Sequence, residues 1–409
     1  MLSDIANIHE GNRHRIKDRE KALIFHSVFS GTASTRKSLA EKLTIRPTTI
    51  SRVVYELLED RILIEGERKN VGRKGRPENI LLPNLNRFVA IAIYVVSREM
   101  KGVMINLGEE ILSERAFYLD EHSDNDKIFQ SIKTITDYLA PCKPEGSELL
   151  GVGVSLPGTV NTREMRWISA ARWPSLSNLS LAKLPLFTGT EVSLHRGLDA
   201  ELEYLLLKRG GYRQGGILLF HWGFGIGSAY AHNGTVLKSN IGRFGEIGHC
   251  RVNYAENPAL QLKKCSCGSY GCLETEAALW AILPQIRSFY PDAPEEEVEF
   301  ARYINSAQSI KRSIETIPLL HRALSFVILG LANINQIFFP DKIILYGPFF
   351  QNKGLFDFFL RSFLKAVPSY SRNTLEVELL NEPIHGEIFG STHAFFKKAL
   401  KELLIARWE

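Results

Sequence analysis

The sequence predicts an α/β protein that carries a small, mainly helical head at its N-terminus. Three short amphipathic segments and a pair of apolar segments fill residues 19–82, and two sets of apolar runs with the same plan begin at Phe88 and at Gly216. A chain of 409 residues is long enough for two or three domains. Its hydrophobic content of 44% and charged content of 23% are typical of a soluble globular protein.

The positive charge of the chain is concentrated in the head. Residues 1–87 contain 17 Lys and Arg against 11 Asp and Glu, whereas the remainder contains 33 against 34. A basic end on a near-neutral body favours an acidic partner for that end, and nucleic acid is the usual one. A solvated basic face without a partner is the alternative that charge alone leaves open.

The sequence also indicates the cellular compartment in which the protein is expected. The first residues lack the apolar core of a signal peptide, and no apolar run approaches the ~18 residues of a membrane span, so no membrane insertion is expected. Three of the five cysteines lie between residues 265 and 272, which suits a metal site better than a disulfide framework. We therefore expect a protein of the reducing cytoplasm.

Three helices are predicted between residues 19 and 59. Apolar residues recur there at helical spacing, and Gly31 ends the first helix. Ser38 is the expected N-cap of the second helix, and Pro47 stands in the first turn of the third. The third helix has one apolar face and one face of small hydroxylic and basic residues, an arrangement typical of a helix-turn-helix.

Two predicted strands, Ile62–Ile64 and Ile80–Leu82, flank a basic, glycine-rich loop and complete a winged helix. In this motif the third helix enters the major groove of double-stranded DNA, and the wing contacts phosphates or a groove edge. The predicted contacts to the operator are Arg36, Lys37, Thr48, Thr49, Ser51, Arg52, Arg73, Lys74 and Arg76. A winged helix that binds protein is the alternative, which the basic wing disfavours.

The body of the chain repeats one plan. Three apolar strands with helical sequence after them run from Phe88 to Phe117, and a second set of three runs from Gly216 to Ser239. The repeated pattern by itself indicates a duplicated α/β body, and it resembles the plan of the actin-like ATPase fold, in which two lobes surround a cleft. The expected domains are 1–83 for the head, 84–198 with the C-terminal helix 386–409 for the first lobe, and 199–385 for the second lobe.

The most specific pattern of the sequence is a histidine followed by three clustered cysteines. Residues 245–249 read GEIGH, and residues 265–274 read CSCGSYGCLE. A C-x-C-x4-C cluster with an upstream histidine provides four ligands of the kind that hold zinc tetrahedrally. The expected zinc ligands are His249, Cys265, Cys267 and Cys272, with Glu246 and Glu274 beside them.

These two motifs resemble those of the ROK family, and more narrowly its repressors with an N-terminal winged helix that respond to xylose, N-acetylglucosamine or glucose. GRKGRP at 72–77 and SLPG at 155–158 support the resemblance. It implies an actin-like ATPase body, a structural zinc ion, and a homodimer or homotetramer. It also implies that Glu246, His249 and Glu274 contact sugar hydroxyls, which carboxylates accept well and which the second ring nitrogen of a zinc-bound histidine can contact. The loop at 251–264 is longer than is usual in the family.

The chain departs from the sugar kinases of the family at two places. The first strand reads AIYVVS and lacks the Asp and glycines of a phosphate loop, although the later WGFGIGS keeps its glycines. In HRGLD at 195–199, Gly197 stands where the catalytic Asp is expected, and Asp199 is not expected to replace it. Phosphoryl transfer needs both features, so no catalytic residue is assigned. That Asp also contacts sugar in the family, so a different sugar, an anionic sugar held by Arg172 and Arg196, or a protein partner remain possible effectors.

The sequence thus predicts a transcriptional regulator, a repressor of carbohydrate uptake or metabolism genes. A sugar or sugar derivative in the interlobe cleft, or a regulatory partner protein, would control its binding to DNA. One alternative is a ROK-type sugar kinase with an added DNA-binding domain. Another is a DNA-binding or scaffold protein that has no ligand.

Overall fold

The structure is a computed structural model that describes residues 16–69, 78–239, 244–306, 318–380 and 386–405. It contains an N-terminal head and two α/β lobes, and it confirms the predicted fold class. The predicted wing-tip residues Arg73, Lys74 and Arg76 lie outside the described residues. Within the described ranges, every helix is too short or too polar to cross a membrane.

Over residues 16–69 and 78–83, the head comprises three helices and a two-stranded antiparallel sheet. Its elements are α1 (Ile16–Phe29), α2 (Arg36–Leu43), α3 (Pro47–Glu59), β1 (Leu63–Lys69) and β2 (Glu78–Pro83). Pro47 opens α3 as predicted, but the N-cap of α2 is Thr35 rather than Ser38. Thr35 has extended backbone, and its hydroxyl accepts a hydrogen bond from the Ser38 amide. The Ser38 hydroxyl in turn accepts one from the Thr35 amide, which completes a capping box.

The first lobe is built on a five-stranded sheet. Its elements along the chain are β3 (Phe88–Val96), β4 (Glu99–Asn106), β5 (Ile111–Tyr118), α4 (Asn125–Leu139), β6 (Glu148–Leu156), β7 (Thr159–Asn161), β8 (Arg166–Ser169), β9 (Leu179–Ser180), α5 (Leu184–Thr188) and β10 (Glu191–Arg196). The strand order across the sheet is β10-β6-β3-β4-β5. β7, β8 and β9 form a small separate sheet, which the sequence analysis did not predict.

The second lobe repeats this sheet after helix α6 (Gly197–Lys208). Its elements are β11 (Gly216–Trp222), β12 (Ile226–His232), β13 (Thr235–Val236), α7 (Pro258–Gln261), α8 (Leu273–Ala277), α9 (Leu279–Arg287), α10 (Glu297–Asn305), α11 (Pro318–Phe338), β14 (Lys342–Tyr346), α12 (Lys353–Ala366), α13 (Ser369–Arg372) and β15 (Glu376–Leu379). The final helix is α14 (Gly386–Leu404). The strand order is β13-β12-β11-β14-β15.

The two sheets have the same topology. In each, the first three strands form antiparallel pairs, and the fourth strand pairs parallel to the first and to the fifth. The two meanders found in the sequence are therefore the first three strands of two copies of one unit. This confirms the predicted duplication.

The central strand β3 is buried on both faces, which explains its continuous apolar sequence. Ala90 and Ala92 face the core that α14 shares with the head, whereas Ile91 and Ile93 face α4. Apolar side chains of the head, such as Leu57, belong to the same continuous cluster as those of α14. The head is thus packed directly on the first lobe.

Candidate functional site

The structure brings the four predicted metal ligands together. The ligand atoms of His249, Cys265, Cys267 and Cys272 all lie within 4.8 Å of one another. Nδ1 of His249 is 3.3 Å from Sγ of Cys265, and the Sγ atoms of Cys267 and Cys272 are 3.7 Å apart. Cys265 and Cys272 are buried, and Cys267 is exposed. This group of one histidine and three cysteines, which we call the cysteine cluster, has the donor atoms and the spacing to hold a metal ion.

Glycine turns bring the cysteines close to one another. Between Cys265 and Cys272 the chain turns at Gly268 and Gly271, whose φ angles are +89° and +70°. A Cβ atom on Gly271 would lie only 2.1 Å from the carbonyl oxygen of Asn253, whose amide donates to the Gly271 carbonyl. Glycine is therefore required where the segment after His249 is hydrogen-bonded to the cysteine segment.

His249 connects the cysteines to a neighbouring carboxylate. Its Nδ1 faces Cys265, and its Nε2 lies 3.7 Å from Oε2 of Glu246. The hydrogen bond with Cys265 raises the pKa of His249 to about 9. Burial raises the pKa of the Cys265 thiol, but the interactions with His249 and Cys267 together outweigh burial and lower that pKa to about 6. The cluster thus favours the thiolate of Cys265, which is the form that binds metals.

The carboxylates predicted to contact a ligand, Glu246 and Glu274, lie on either side of His249 in different surroundings. Oε1 of Glu246 accepts a hydrogen bond of 3.2 Å from Arg196. Glu274 follows Cys272 at the start of α8, is buried, and accepts a hydrogen bond of 3.2 Å from the indole of Trp280. Burial raises the pKa of Glu274 to about 7, so near neutrality this group can donate as well as accept a hydrogen bond.

Arg196 is a buried guanidinium that holds this region together. It donates to Oδ1 of Asp199 at 2.7 Å, to Glu246, and to the carbonyl of Ser228. Asp199 is itself buried. The carboxylate of Asp199 is therefore engaged by Arg196. The charge of Arg196 is already neutralised by two carboxylates, which disfavours a role in binding an anionic sugar.

A carboxyl group from the C-terminal helix lies beside Gly197. A Cβ atom on Gly197 would be 3.2 Å from Oε2 of Glu387, and this oxygen accepts a hydrogen bond of 2.7 Å from the Ser155 hydroxyl. Burial raises the pKa of Glu387 to about 7. The space next to Gly197 therefore contains a carboxyl group from α14, which is distant in sequence. No local motif predicted this contact.

Carboxyl groups of both lobes converge on one tyrosine. Burial and the nearby carboxylates of Glu201, Glu387 and Glu297 raise the pKa of Tyr346 well above its ordinary value. Oε2 of Glu201 accepts a hydrogen bond of 2.9 Å from the backbone amide of Glu387. The polar groups between the lobes, which we call the interlobe site, include Ser155, Arg196, Glu246, His249, Glu274 and Glu387.

The raised pKa of Glu387 predicts a specific pH dependence of stability. The folded protein holds this proton more tightly than the unfolded chain, so the contribution to stability is present near pH 4.5 and is lost as the pH rises to about 7. The Glu387→Gln variant should lose about 2 kcal/mol less stability than the wild type between about pH 5 and about pH 8. Thermal unfolding across this range tests it, with Glu114→Gln on exposed β5 as the control. Equal pH slopes for the wild type and Glu387→Gln would refute the prediction.

Helix α3 carries four of the nine residues predicted to contact DNA. Thr48, Ser51 and Arg52 are exposed and Thr49 is partly exposed, while the opposite face of the helix is buried in the head. On α2, Lys37 is exposed and Arg36 is partly exposed. Arg52 pairs with Glu56 at 2.7 Å and Arg36 with Glu65 at 2.8 Å. Such surface pairs are weak, so both guanidinium groups stay available to a phosphate or a base.

Two further residues on this surface were not predicted. Arg46 is exposed at the N-cap of α3, and Tyr55 is 64% exposed one turn beyond Arg52. An exposed tyrosine on an otherwise polar helix face is a signal that sequence reasoning could have used. Both belong to the face formed by Thr48, Ser51 and Arg52.

The fold and the site together define a class of protein: a two-lobed, duplicated α/β body with a cluster of one histidine and three cysteines, fused to a helix-turn-helix head. The pattern of the ROK family matches residues 91–386, and the chain belongs to the ROK family.

Relatives and solved structures match over most of their length. The chain is 23% identical over 363 residues to the xylose repressor of Caldicellulosiruptor bescii, covering 82% of this chain and 84% of that protein. It is 23% identical over 357 residues to the DNA-binding transcriptional dual regulator NagC of Escherichia coli K12, covering 82% of each. A ROK family transcriptional regulator, a homologue of the E. coli MLC protein, has a TM-score of 0.67 at 20% identity, covering 95% of this chain and 98% of that one. The ROK glucokinase of Streptomyces griseus has a TM-score of 0.59 at 17% identity over 75% of this chain and 98% of its own.

Proposed function

We propose that this protein is a sugar-responsive transcriptional repressor of carbohydrate uptake or metabolism genes. The observation that supports the proposal is a helix-turn-helix head packed on the first lobe of a ROK body. The chain is also similar over most of its length to a xylose repressor and to the transcriptional dual regulator NagC. A ligand that changes the closure of the lobes would change how the heads are presented to DNA. Differential affinity for two states of the body is all that such control requires.

The head binds double-stranded DNA with α3 in the major groove. The exposed side chains of Ser51 and Arg52 read base edges, and those of Arg36 and Lys37 contact the backbone. A palindromic operator needs two heads at a fixed spacing, which requires a homodimer or homotetramer.

The wing supplies contacts that are electrostatic rather than specific. Arg73→Ala should weaken binding to specific and non-specific DNA alike, and it should lower the slope of log Kd against log salt by about one. Fluorescence anisotropy with a labelled DNA fragment over a range of salt concentrations measures this slope. An unchanged slope would remove the wing from the DNA interface.

The metal of the cysteine cluster is zinc. One imidazole and three thiols are a donor set that suits zinc, and the separations of 3.3 Å and 3.7 Å bring these atoms close enough to share one ion. Bound zinc would be held by His249, Cys265, Cys267 and Cys272 and would cross-link their segments. It would also hold the His249 ring, whose Nε2 faces Glu246, and with it one wall of the interlobe site.

The effector is a sugar or a neutral sugar derivative that hydrogen-bonds to Glu246, His249 and Glu274. Glu387 provides a further carboxyl group beside Gly197, where the side chain expected in the family is absent. A regulatory protein bound to the body is the alternative effector. Thermal-shift measurements with a sugar panel distinguish the two, because only a small-molecule effector stabilises the isolated protein.

The body has no kinase activity in this proposal. The first strand lacks a phosphate loop, Gly197 offers no general base, and Asp199 is engaged by Arg196. The similarity of fold to ROK glucokinases makes a kinase the second candidate function. Coupled measurement of ATP turnover with a sugar panel tests it, and any sugar-dependent rate well above background would favour the kinase.

A further inference from the structure

Three consecutive glutamates, Glu295 to Glu297, lie at the start of α10 in the second lobe and are partly buried. We call them the acidic run. They contact two structures that the proposed repressor function does not use: the glycine turn between β11 and β12, and two arginines of the first lobe.

The carboxylate of Glu297 occupies the glycine turn. Its Oε1 accepts a hydrogen bond from the backbone amide of Phe224, and its Oε2 accepts one of 3.1 Å from Nε2 of His221. A Cβ atom on Gly223 would lie 2.6 Å from the carboxylate, so only glycine leaves room for it. Backbone amides at a glycine-rich turn form an anion site, and here the anion is part of the same chain.

The other two glutamates reach across to the first lobe. Arg98, in the turn between β3 and β4, pairs with Glu295 at 2.8 Å and lies 3.7 Å from Glu296. Arg172 pairs with Glu296 at 3.2 Å, and its guanidinium lies 3.7 Å from the ring centroid of Phe224. The arginine side chains are 17% and 8% exposed, so solvent screens these pairs less than surface pairs.

We propose that the acidic run is a built-in anion strap: Glu297 keeps the glycine turn closed to external phosphate groups, and Glu295 and Glu296 tie the strapped helix to Arg98 and Arg172 of the other lobe. An external anion of phosphate size can bind at the turn only when Glu297 is withdrawn. The lobes can then open only if the ion pairs of Arg98 and Arg172 break. The strap therefore sets how readily the two lobes move apart.

One contact of the strap is incomplete. Oε2 of Glu296 is buried without a hydrogen-bond partner among the described residues. A buried, unsatisfied carboxylate oxygen is unfavourable, so the closed arrangement is less stable than a fully satisfied network would be. A contact that is weakened in this way is easier to break when the lobes open.

The anion site is tested with Glu297→Ala, which leaves the Phe224 amide and the His221 ring without that carboxylate. Millimolar inorganic phosphate, at ionic strength matched with chloride, should raise the thermal midpoint of Glu297→Ala more than that of the wild type. Glu299→Ala removes the same charge from an exposed position of the same helix and should respond like the wild type. Identical responses of all three proteins would overturn the proposal.

The wild-type protein gives a test that does not depend on the variant folding. In hydrogen-exchange mass spectrometry, pyrophosphate should leave the exchange of residues 222–226 unchanged, because Glu297 already holds the Phe224 amide. Slower exchange there on adding pyrophosphate would mean that an external anion enters the turn, which contradicts the proposal.

The strap between the lobes is tested with the double variant Glu295→Gln and Glu296→Gln. Loss of the arginine pairs should speed exchange of residues 222–226 by about tenfold while residues 265–273 in the cysteine cluster keep their wild-type rates. If the exchange at residues 222–226 stays at the wild-type rate, the arginine pairs do not hold the strap. This result is independent of whether the protein represses sugar genes.

Discussion

Replacing Cys272 with serine is expected to abolish metal binding and to destabilise the segment from residue 245 to residue 274. Cys272 is completely buried, and its backbone carbonyl accepts hydrogen bonds from the amides of Thr275 and Glu276 in α8. Serine binds zinc far more weakly than a thiolate does, and the three remaining ligands would lose the geometry of a closed site. We expect a loss of at least ~4 kcal/mol, the range reached when a substitution removes a metal site.

The matched control is Cys250→Ser. Cys250 is exposed and follows His249 directly, yet its thiol does not belong to the cluster. Metal analysis of purified protein should find about one zinc per chain in the wild type and in Cys250→Ser, and none in Cys272→Ser. A Cys272→Ser protein with the wild-type thermal midpoint, or a wild type free of zinc, would end the claim of a structural zinc site.

Replacing Arg52 with alanine is expected to lower operator affinity by about tenfold to a hundredfold and to relax specificity at the contacted base pair. Arg52 is exposed in the first half of α3, on the same face as Thr48, Ser51 and Tyr55. Its pair with Glu56 is an exposed pair on one helix, worth only about 0.5 kcal/mol. The variant should therefore fold normally while it binds DNA poorly.

Arg361→Ala is the control for charge, because Arg361 is exposed on α12 of the second lobe, away from the head. Fluorescence anisotropy at fixed salt should show weaker binding to operator DNA for Arg52→Ala than for Arg361→Ala. On non-specific DNA Arg52→Ala should bind nearly as well as the wild type. An equal loss on both kinds of DNA would mean that Arg52 contacts only phosphate.

The sequence was sufficient to predict the duplicated sheets, because burial on both faces produces continuous apolar strands such as β3 and β11. It was also sufficient to predict that the side chains of the cysteine cluster lie together, because Cys265, Cys267 and Cys272 are separated by only a few residues. Helix α3 could be predicted from its apolar stripe and from Pro47 in its first turn. In each of these cases the physical cause is local.

The features that could not be predicted depend on contacts between distant parts of the chain. Glu387 lies beside Gly197 because α14 packs on α6, where a Cβ atom on Gly390 would lie 1.9 Å from the carbonyl oxygen of Ala200. The acidic run reads as an ordinary charged helix start until the fold places Glu297 in a glycine turn. Arg196 was considered as a ligand-binding charge, and its buried pairing with Asp199 became visible only in three dimensions.

The pairing of Arg172 illustrates how a fold decides between two interpretations of one residue. In sequence, Arg172 offered a positive charge for an anionic sugar. In the structure, Glu296 and the face of Phe224 already satisfy its guanidinium. The same residue therefore links the first lobe to the start of α10 and does not offer an unpaired positive charge.

The central claim is that a sugar in the interlobe site controls binding to DNA. The most direct measurement is binding of the full chain to the DNA fragment upstream of its own gene, against excess unrelated DNA, during titration with xylose, glucose and N-acetylglucosamine. Specific binding is expected in the absence of sugar, with at least a tenfold loss of affinity, about 1.4 kcal/mol, when one of the sugars is added. Specific binding that no sugar changes, or no preference for this fragment over unrelated DNA, would contradict it.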